Sequence, residues 1–230
     1  MPLPDFTSAT IFPPFPSLPL TTSSPSSSAR DDVDDYYLLG QITENMTLTK
    51  PTLILTDRSS TSFALVYDSR SAAEEGPETP FFAQLGFKKG STLVIPNAKR
   101  TPPKEDSGGG GGGGGGQGFV AVQREQEASV RVIPAGLDKV VRVGAWLRER
   151  EKRDNGEGEG GGGGGEGGCC ENCRETPKRG GGREAGLMMR KCTGCGEVAY
   201  CSKDCQVKGW NEGGHKADCK IIKAIRAIWP

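Results

Sequence analysis

Between residues 31 and 101 short apolar runs alternate with turn residues, at 36–42, 52–56, 63–67 and 92–95. Runs of this length, rich in β-branched and aromatic residues and bounded by Gly, Pro, Asn, Asp and Ser, predict strands. Two more such runs, 119–122 and 130–133, precede a stretch around 137–150 whose apolar positions repeat at helical spacing. Further on, Ser202 is placed to cap a helix running towards Trp210, and Gly213-Gly214 to end it. A second helix is expected from His215, with Ile221, Ile225, Ile228 and Trp229 on one face as core. The expected fold class is α+β.

Five or six short strands suggest a small barrel. Lys88-Lys89-Gly90-Ser91-Thr92-Leu93-Val94-Ile95, a basic pair and a turn glycine before an apolar strand, resembles the fourth-strand region of OB-type barrels. An OB-like barrel over 31–150 is therefore expected, with a Gly-rich insertion at 102–117, where a long loop costs little closure entropy. Barrels of that kind bind single-stranded nucleic acid on aromatics beside a basic groove. Here Phe81, Phe82 and Phe87 with Lys88, Lys89, Lys99 and Arg100 are the candidates, so nucleic-acid binding is the alternative function.

Composition limits how much of the chain packs. The 230 residues include 35 Gly and 16 Pro, only 34% are hydrophobic, and the longest apolar runs fall far short of a membrane span. Residues 1–30 read as a disordered Pro/Ser-rich tail in which Pro13, Pro14, Pro16 and Pro19 favour extended polyproline geometry. Residues 1–29 hold no Lys or Arg, which argues against a secretory or organellar signal and for an intracellular protein. A Gly/Glu linker at 151–168 separates the β-rich module from the C-terminal segment, 169–230. The 29 basic and 29 acidic residues balance, yet 30–107 carries −3 and 169–230 carries +5, mild for a dedicated nucleic-acid binder.

The chemistry lies in that last segment. It holds all 8 cysteines and the only histidine: Cys170-x2-Cys173, Cys192-x2-Cys195, Cys201-x3-Cys205 and His215-x3-Cys219, with Cys169 left over as a possible substitute for Cys170. A two-residue gap closes a turn with both sulfurs on one ion, and a three-residue gap puts two ligands on one helix face. Four pairs make two closed tetrahedral zinc sites with no position open for water, which disfavours hydrolytic chemistry. Four disulfides would need an oxidising compartment and would leave His215 idle, and a redox dithiol would need a βαβ setting. Spacing leaves open which pairs share an ion.

This order of pairs, with Tyr200 before Cys201 and a Trp before His215, resembles the MYND zinc finger over 170–219. The resemblance implies an interleaved arrangement: Cys170, Cys173, Cys201 and Cys205 on one ion, and Cys192, Cys195, His215 and Cys219 on the other. It departs from the family in the long gaps after Cys173 and Cys205, which look like loop insertions. It also implies recognition of Pro-rich protein segments, often Pro-x-Leu-x-Pro, in transcriptional regulators and scaffolds, with the nucleus somewhat favoured over the cytoplasm. The matching groove positions are Thr193 for a hydroxyl, Gln206 for an amide and Trp210 for an indole. Some such proteins are lysine methyltransferases with the finger inside a SET domain, but the SET signature is missing here and the sequence carries no phosphate-binding loop. A zinc-dependent adaptor without enzymatic activity is expected, and its finger could alternatively clamp its own Pro-rich tail.

Overall fold

The computed structural model describes residues 2–21, 36–68, 81–103, 118–154, 169–176 and 189–230, which divide into two compact units, Phe6–Val141 and Met1–Asp5 with Arg142–Pro230. Most of the Gly-rich insertion and of the Gly/Glu linker lies outside the described residues.

In the first unit, β1 (Tyr37–Asn45), β2 (Thr52–Thr56) and β3 (Ser62–Tyr67) form an antiparallel meander. After a short helix α1 (Phe81–Gln84) come β4 (Thr92–Pro96), β5 (Arg100–Thr101), β6 (Phe119–Val122) and β7 (Arg131–Ile133). The seven form one sheet in the order β5-β6-β3-β2-β1-β4-β7, with β3 and β6 parallel and the other pairs antiparallel. Within the runs read as strands burial alternates: Leu53 and Leu55 on β2 and Phe63, Leu65 and Tyr67 on β3 all face the core.

The expected barrel is corrected: no closed ring of strands exists among the described residues. Only three residues separate β4 from β5, so these strands on opposite sides of the sheet are tethered within about 14 Å of each other. The sheet therefore curls, but β5 and β7, two and three residues long, are too short to zip its edges together. A cavity of about 330 Å³ lies between residues 95–99 and 119–123.

A second correction concerns the N-terminal segment. Residues 2–21 are packed, while 22–30 lie outside the described residues. Phe12, Phe15 and Leu18, three residues apart, are all buried, a spacing that puts side chains on one face of either polyproline or 3-10 geometry. Phe15 stacks on Phe63 with ring centres 4.5 Å apart, and Phe6 stacks on Phe12 at 5.0 Å. The buried Asp57 carboxylate accepts from the backbone N–H of Phe15 at 2.7 Å while its other oxygen holds the Ser59 and Thr61 amides. Residues 19–21 run parallel to β5: Arg100 N–H donates to Pro19 O and Thr21 N–H to Arg100 O. The stretch from Pro13 to Pro19 is thus held by its own sheet.

Helix α2 (Leu137–Asp154) begins where the Gln41 side chain on β1 accepts the Leu137 N–H at 2.8 Å. It runs four residues past the expected end, so residues 151–154, read as linker, are helical. In the second unit β8 (Arg190–Lys191) and β9 (Ala199–Tyr200) form a hairpin, followed by α3 (Lys203–Asn211) and α4 (His215–Ile228). Ser202 caps α3 by accepting from Cys205 N–H at 3.1 Å, as its sequence position predicts. Ile221, Ile222, Ile225 and Trp229 are buried along α4 and Ile228 is half-buried, so the apolar stripe is core.

Candidate metal centre

Each ligand pair is set by local geometry. Cys192 and Cys195 flank a tight turn closed by Gly196 N–H on Cys192 O at 2.8 Å. Gly194 in that turn is required by close approach, since a Cβ there would lie 2.8 Å from the Cys219 sulfur. Cys201 and Cys205 bracket the capped start of α3, and His215 and Cys219 share one face of α4 at i, i+4. The hairpin and the two helices fold these pairs into two clusters: Cys170, Cys173, Cys201 and Cys205; and Cys192, Cys195, His215 and Cys219.

Within each cluster the ligand atoms all lie within 4.8 Å of one another. Zinc–sulfur bonds of about 2.3 Å put sulfurs about 3.8 Å apart along a tetrahedral edge. The contacts here are 3.5 Å for Cys173–Cys201 and Cys201–Cys205, 3.8 Å for Cys192–Cys219 and 3.7 Å from the Cys195 sulfur to His215 Nε2. The donor sets, four sulfurs in one and three sulfurs with an imidazole in the other, fit two zinc ions, and these eight side chains would hold them. Bound zinc there would supply structure, tying the hairpin to both helices and neutralising the thiolates.

The surroundings prepare the thiols for a cation. Burial pushes Cys170 up, but hydrogen bonds from the backbone of Cys173, Cys201 and Asn172 outweigh it and bring the thiol down to about 6. Cys192 also comes down to about 6: burial opposes, while His215 and the backbone of Cys195 and Gly194 favour the thiolate. In each cluster a later sulfur moves the other way. Cys201 is pushed to about 12 by its neighbours Cys205 and Cys173, and Cys219 to about 12 by burial and then the Cys195 charge. His215 is raised to about 9 by its hydrogen bond to Cys195, against the effect of burial. Asn172 Nδ2 donates to the Cys205 sulfur at 3.5 Å, an outer contact of the kind that orients a ligand. Cys169 is half-buried and stands outside both clusters.

Of the three groove positions, Gln206 is exposed and Trp210 half-buried, one turn apart on α3, and the indole meets the His215 ring edge-on at 5.5 Å. Thr193 is exposed in the turn between Cys192 and Cys195, on a different element. The alternative nucleic-acid face fares differently. Phe81 and Phe82 are buried against Tyr67, and Phe87 stacks on Phe82, so these rings fill the core of the sheet unit.

Residues that spacing could not reveal surround the first cluster. Glu171, between Cys170 and Cys173, accepts from Arg150 of α2 at 2.7 Å and pairs with Arg174 at 3.2 Å. Arg226 of α4 bridges Glu151 and Glu197, and Glu151 also takes the Leu3 N–H. The end of α2 and residues 2–5 therefore belong to the same unit as the metal clusters.

Two interleaved Cys/His clusters, carried on a hairpin and two helices, make up the finger. Residues 170–219 match the family model of the MYND finger, a protein-interaction module. In its C-terminal region the chain is 42% identical over 53 residues to a SET and MYND domain-containing protein of Dictyostelium discoideum, a match covering 23% of this chain and 9% of that protein. No helix among the described residues is long and apolar enough to cross a membrane.

Proposed function

We propose that this chain works without catalysis, as a zinc-dependent adaptor whose finger binds a Pro-rich segment of a partner protein. The observation that carries this is the pair on α3: an exposed amide, Gln206, one turn from a half-buried indole, Trp210, that rests on a metal-ligating histidine. Pro-rich peptides are preorganised and dock on aromatic surfaces at small entropic cost, while an amide and the Thr193 hydroxyl can pin their backbone. The chain's only histidine stands among three sulfurs, which supports a structural role for it. The SET part in the relative's name is not carried over, because the match spans only the finger region. A place in transcriptional regulation and in the nucleus is part of the same proposal and rests on the family alone.

The test is fluorescence anisotropy with a labelled Pro-Ala-Leu-Ala-Pro peptide and the zinc-loaded full chain. The wild type should bind, and Trp210→Ala and Gln206→Ala should each weaken binding about tenfold or more while zinc content stays unchanged. Binding that ignores both substitutions would remove the groove.

A further inference from the structure

Beside the second cluster, inside the finger unit, lies a cavity of about 190 Å³. Its apolar lining comes from Val143 of α2, Val198 and Ile222, all buried, and from the half-buried Trp146. That volume is below the ~300 Å³ at which small-molecule pockets begin, and it has room for a single side chain. Four of its lining residues, Arg142, Val143, Trp146 and Ile222, lie outside the matched residues 170–219, so the cavity is a feature of this chain rather than of the finger alone.

Its shape is set in advance. The Arg150 guanidinium sits 5.7 Å from the Trp146 ring centre and is itself held by Glu171. A fixed wall costs a ligand less ordering entropy than a mobile one. The charge at the rim is positive in effect: Glu171 is engaged by two arginines and Asp218 already has a partner. Arg142, exposed one turn before Trp146, makes no ion pair among the described residues. His215 lines the cavity and its ring also meets Trp210, so one residue borders both the cavity and the proposed groove.

We propose that this cavity is a second anchor for the same partner, taking one leucine-sized aliphatic side chain from a peptide that carries a carboxylate beside it, which Arg142 pairs. The inference rests on the peptide-binding reading above and extends it: recognition then requires a Pro-rich stretch plus an adjoining acidic-aliphatic pair.

The experiment uses the zinc-loaded full chain and labelled Pro-Ala-Leu-Ala-Pro peptides, bare or extended at either end by Leu-Glu or Leu-Lys. One of the Leu-Glu peptides should bind about tenfold tighter than the bare core, the gain expected for burying one leucine side chain. It should also shift the Trp146 indole N–H resonance. Trp146→Ala should abolish that gain, and Arg142→Glu, on an exposed surface, should remove most of it and erase the preference over Leu-Lys; both should leave core binding unchanged. No gain from either extension, or a gain that survives both substitutions, overturns the proposal. If the bare core itself does not bind, acetyl-Gly-Leu-Glu-amide alone decides the cavity: a shifted Trp146 resonance keeps it and drops the groove, and an unshifted one removes it as well.

Discussion

A Cβ added at Gly209 would lie 2.4 Å from Cε1 of Tyr200, which is itself 2% exposed. By helix propensity Gly209→Ala in α3 should gain about 1 kcal/mol, but overpacking of this size costs about 1–3 kcal/mol, and we expect a net loss in the melting of the zinc-loaded finger. A rise in melting temperature would show that Tyr200 yields freely. The ligands make a second prediction. Without metal, Cys201 and Cys219 near 12 and His215 near 9 all hold protons at neutral pH, and zinc must displace them. Zinc affinity should therefore rise with pH through neutrality and on past 9, where the Cys201 and Cys219 thiols still hold protons, and fall more steeply towards pH 6, where Cys170 and Cys192 also protonate. Calorimetric zinc titration in two buffers of different ionisation enthalpy should give different heats; identical heats would contradict the displacement. At this scale the metal set was legible, because two- and three-residue gaps specify turns and helix faces locally. The interleaving was not legible in spacing, since it depends on the β8–β9 hairpin bringing Cys170 and Cys173 beside α3, and only the resemblance supplied it. Arg150 and Glu171 were hidden for the same reason: their pairing joins a helix to a loop 21 residues away.

Among the elements, α2 and the N-terminal segment carry the largest differences from expectation. Most strands were readable as short apolar runs between turn residues, β2, β3 and β6 alternating core and surface and β4 apolar along its length, whereas β5, two residues long, left no such signal. The N-terminal segment was not, because its Pro and Ser content outweighs the three-residue repeat of Phe12, Phe15 and Leu18 that the sheet buries. Asp57→Ala would leave the Phe15 amide and the turn at Ser59 and Thr61 without their acceptor. A buried donor left unpaired costs about 1–3 kcal/mol, so limited proteolysis should cut within residues 6–21 faster than in the wild type. Unchanged cleavage would mean that aromatic stacking alone holds the segment. On the other unit, Arg150→Ala removes a nearly buried guanidinium from Glu171, with Arg174 as a partial substitute. Breaking such a pair costs about 3–5 kcal/mol when fully buried; with Arg174 remaining, about 1–2 kcal/mol is expected, read as a severalfold loss of zinc affinity at the first cluster in chelator competition. Equal affinity would show that α2 merely lies alongside.

At the scale of the whole chain, the two units draw their stability from different sources. The sheet unit has a contiguous core running from Phe15 and Leu18 through Leu55, Leu65 and Tyr67 to Val130. The finger unit is small, and structural zinc supplies on the order of 10–16 kcal/mol of apparent binding energy in comparable fingers. A chelator should therefore collapse the near-ultraviolet signal of Trp210, packed on His215, while the sheet unit keeps its own melting transition; a single transition unaffected by chelator would mean that the finger folds without metal. The central claim, two closed and interleaved zinc sites in one finger, is tested most directly by native mass spectrometry of the full chain. The account predicts a mass higher by two zinc ions with all 8 cysteines reduced, falling to one ion in Cys173→Ser and, likewise, in Cys219→Ser. One ion in the wild type, or none with disulfides in their place, would contradict it.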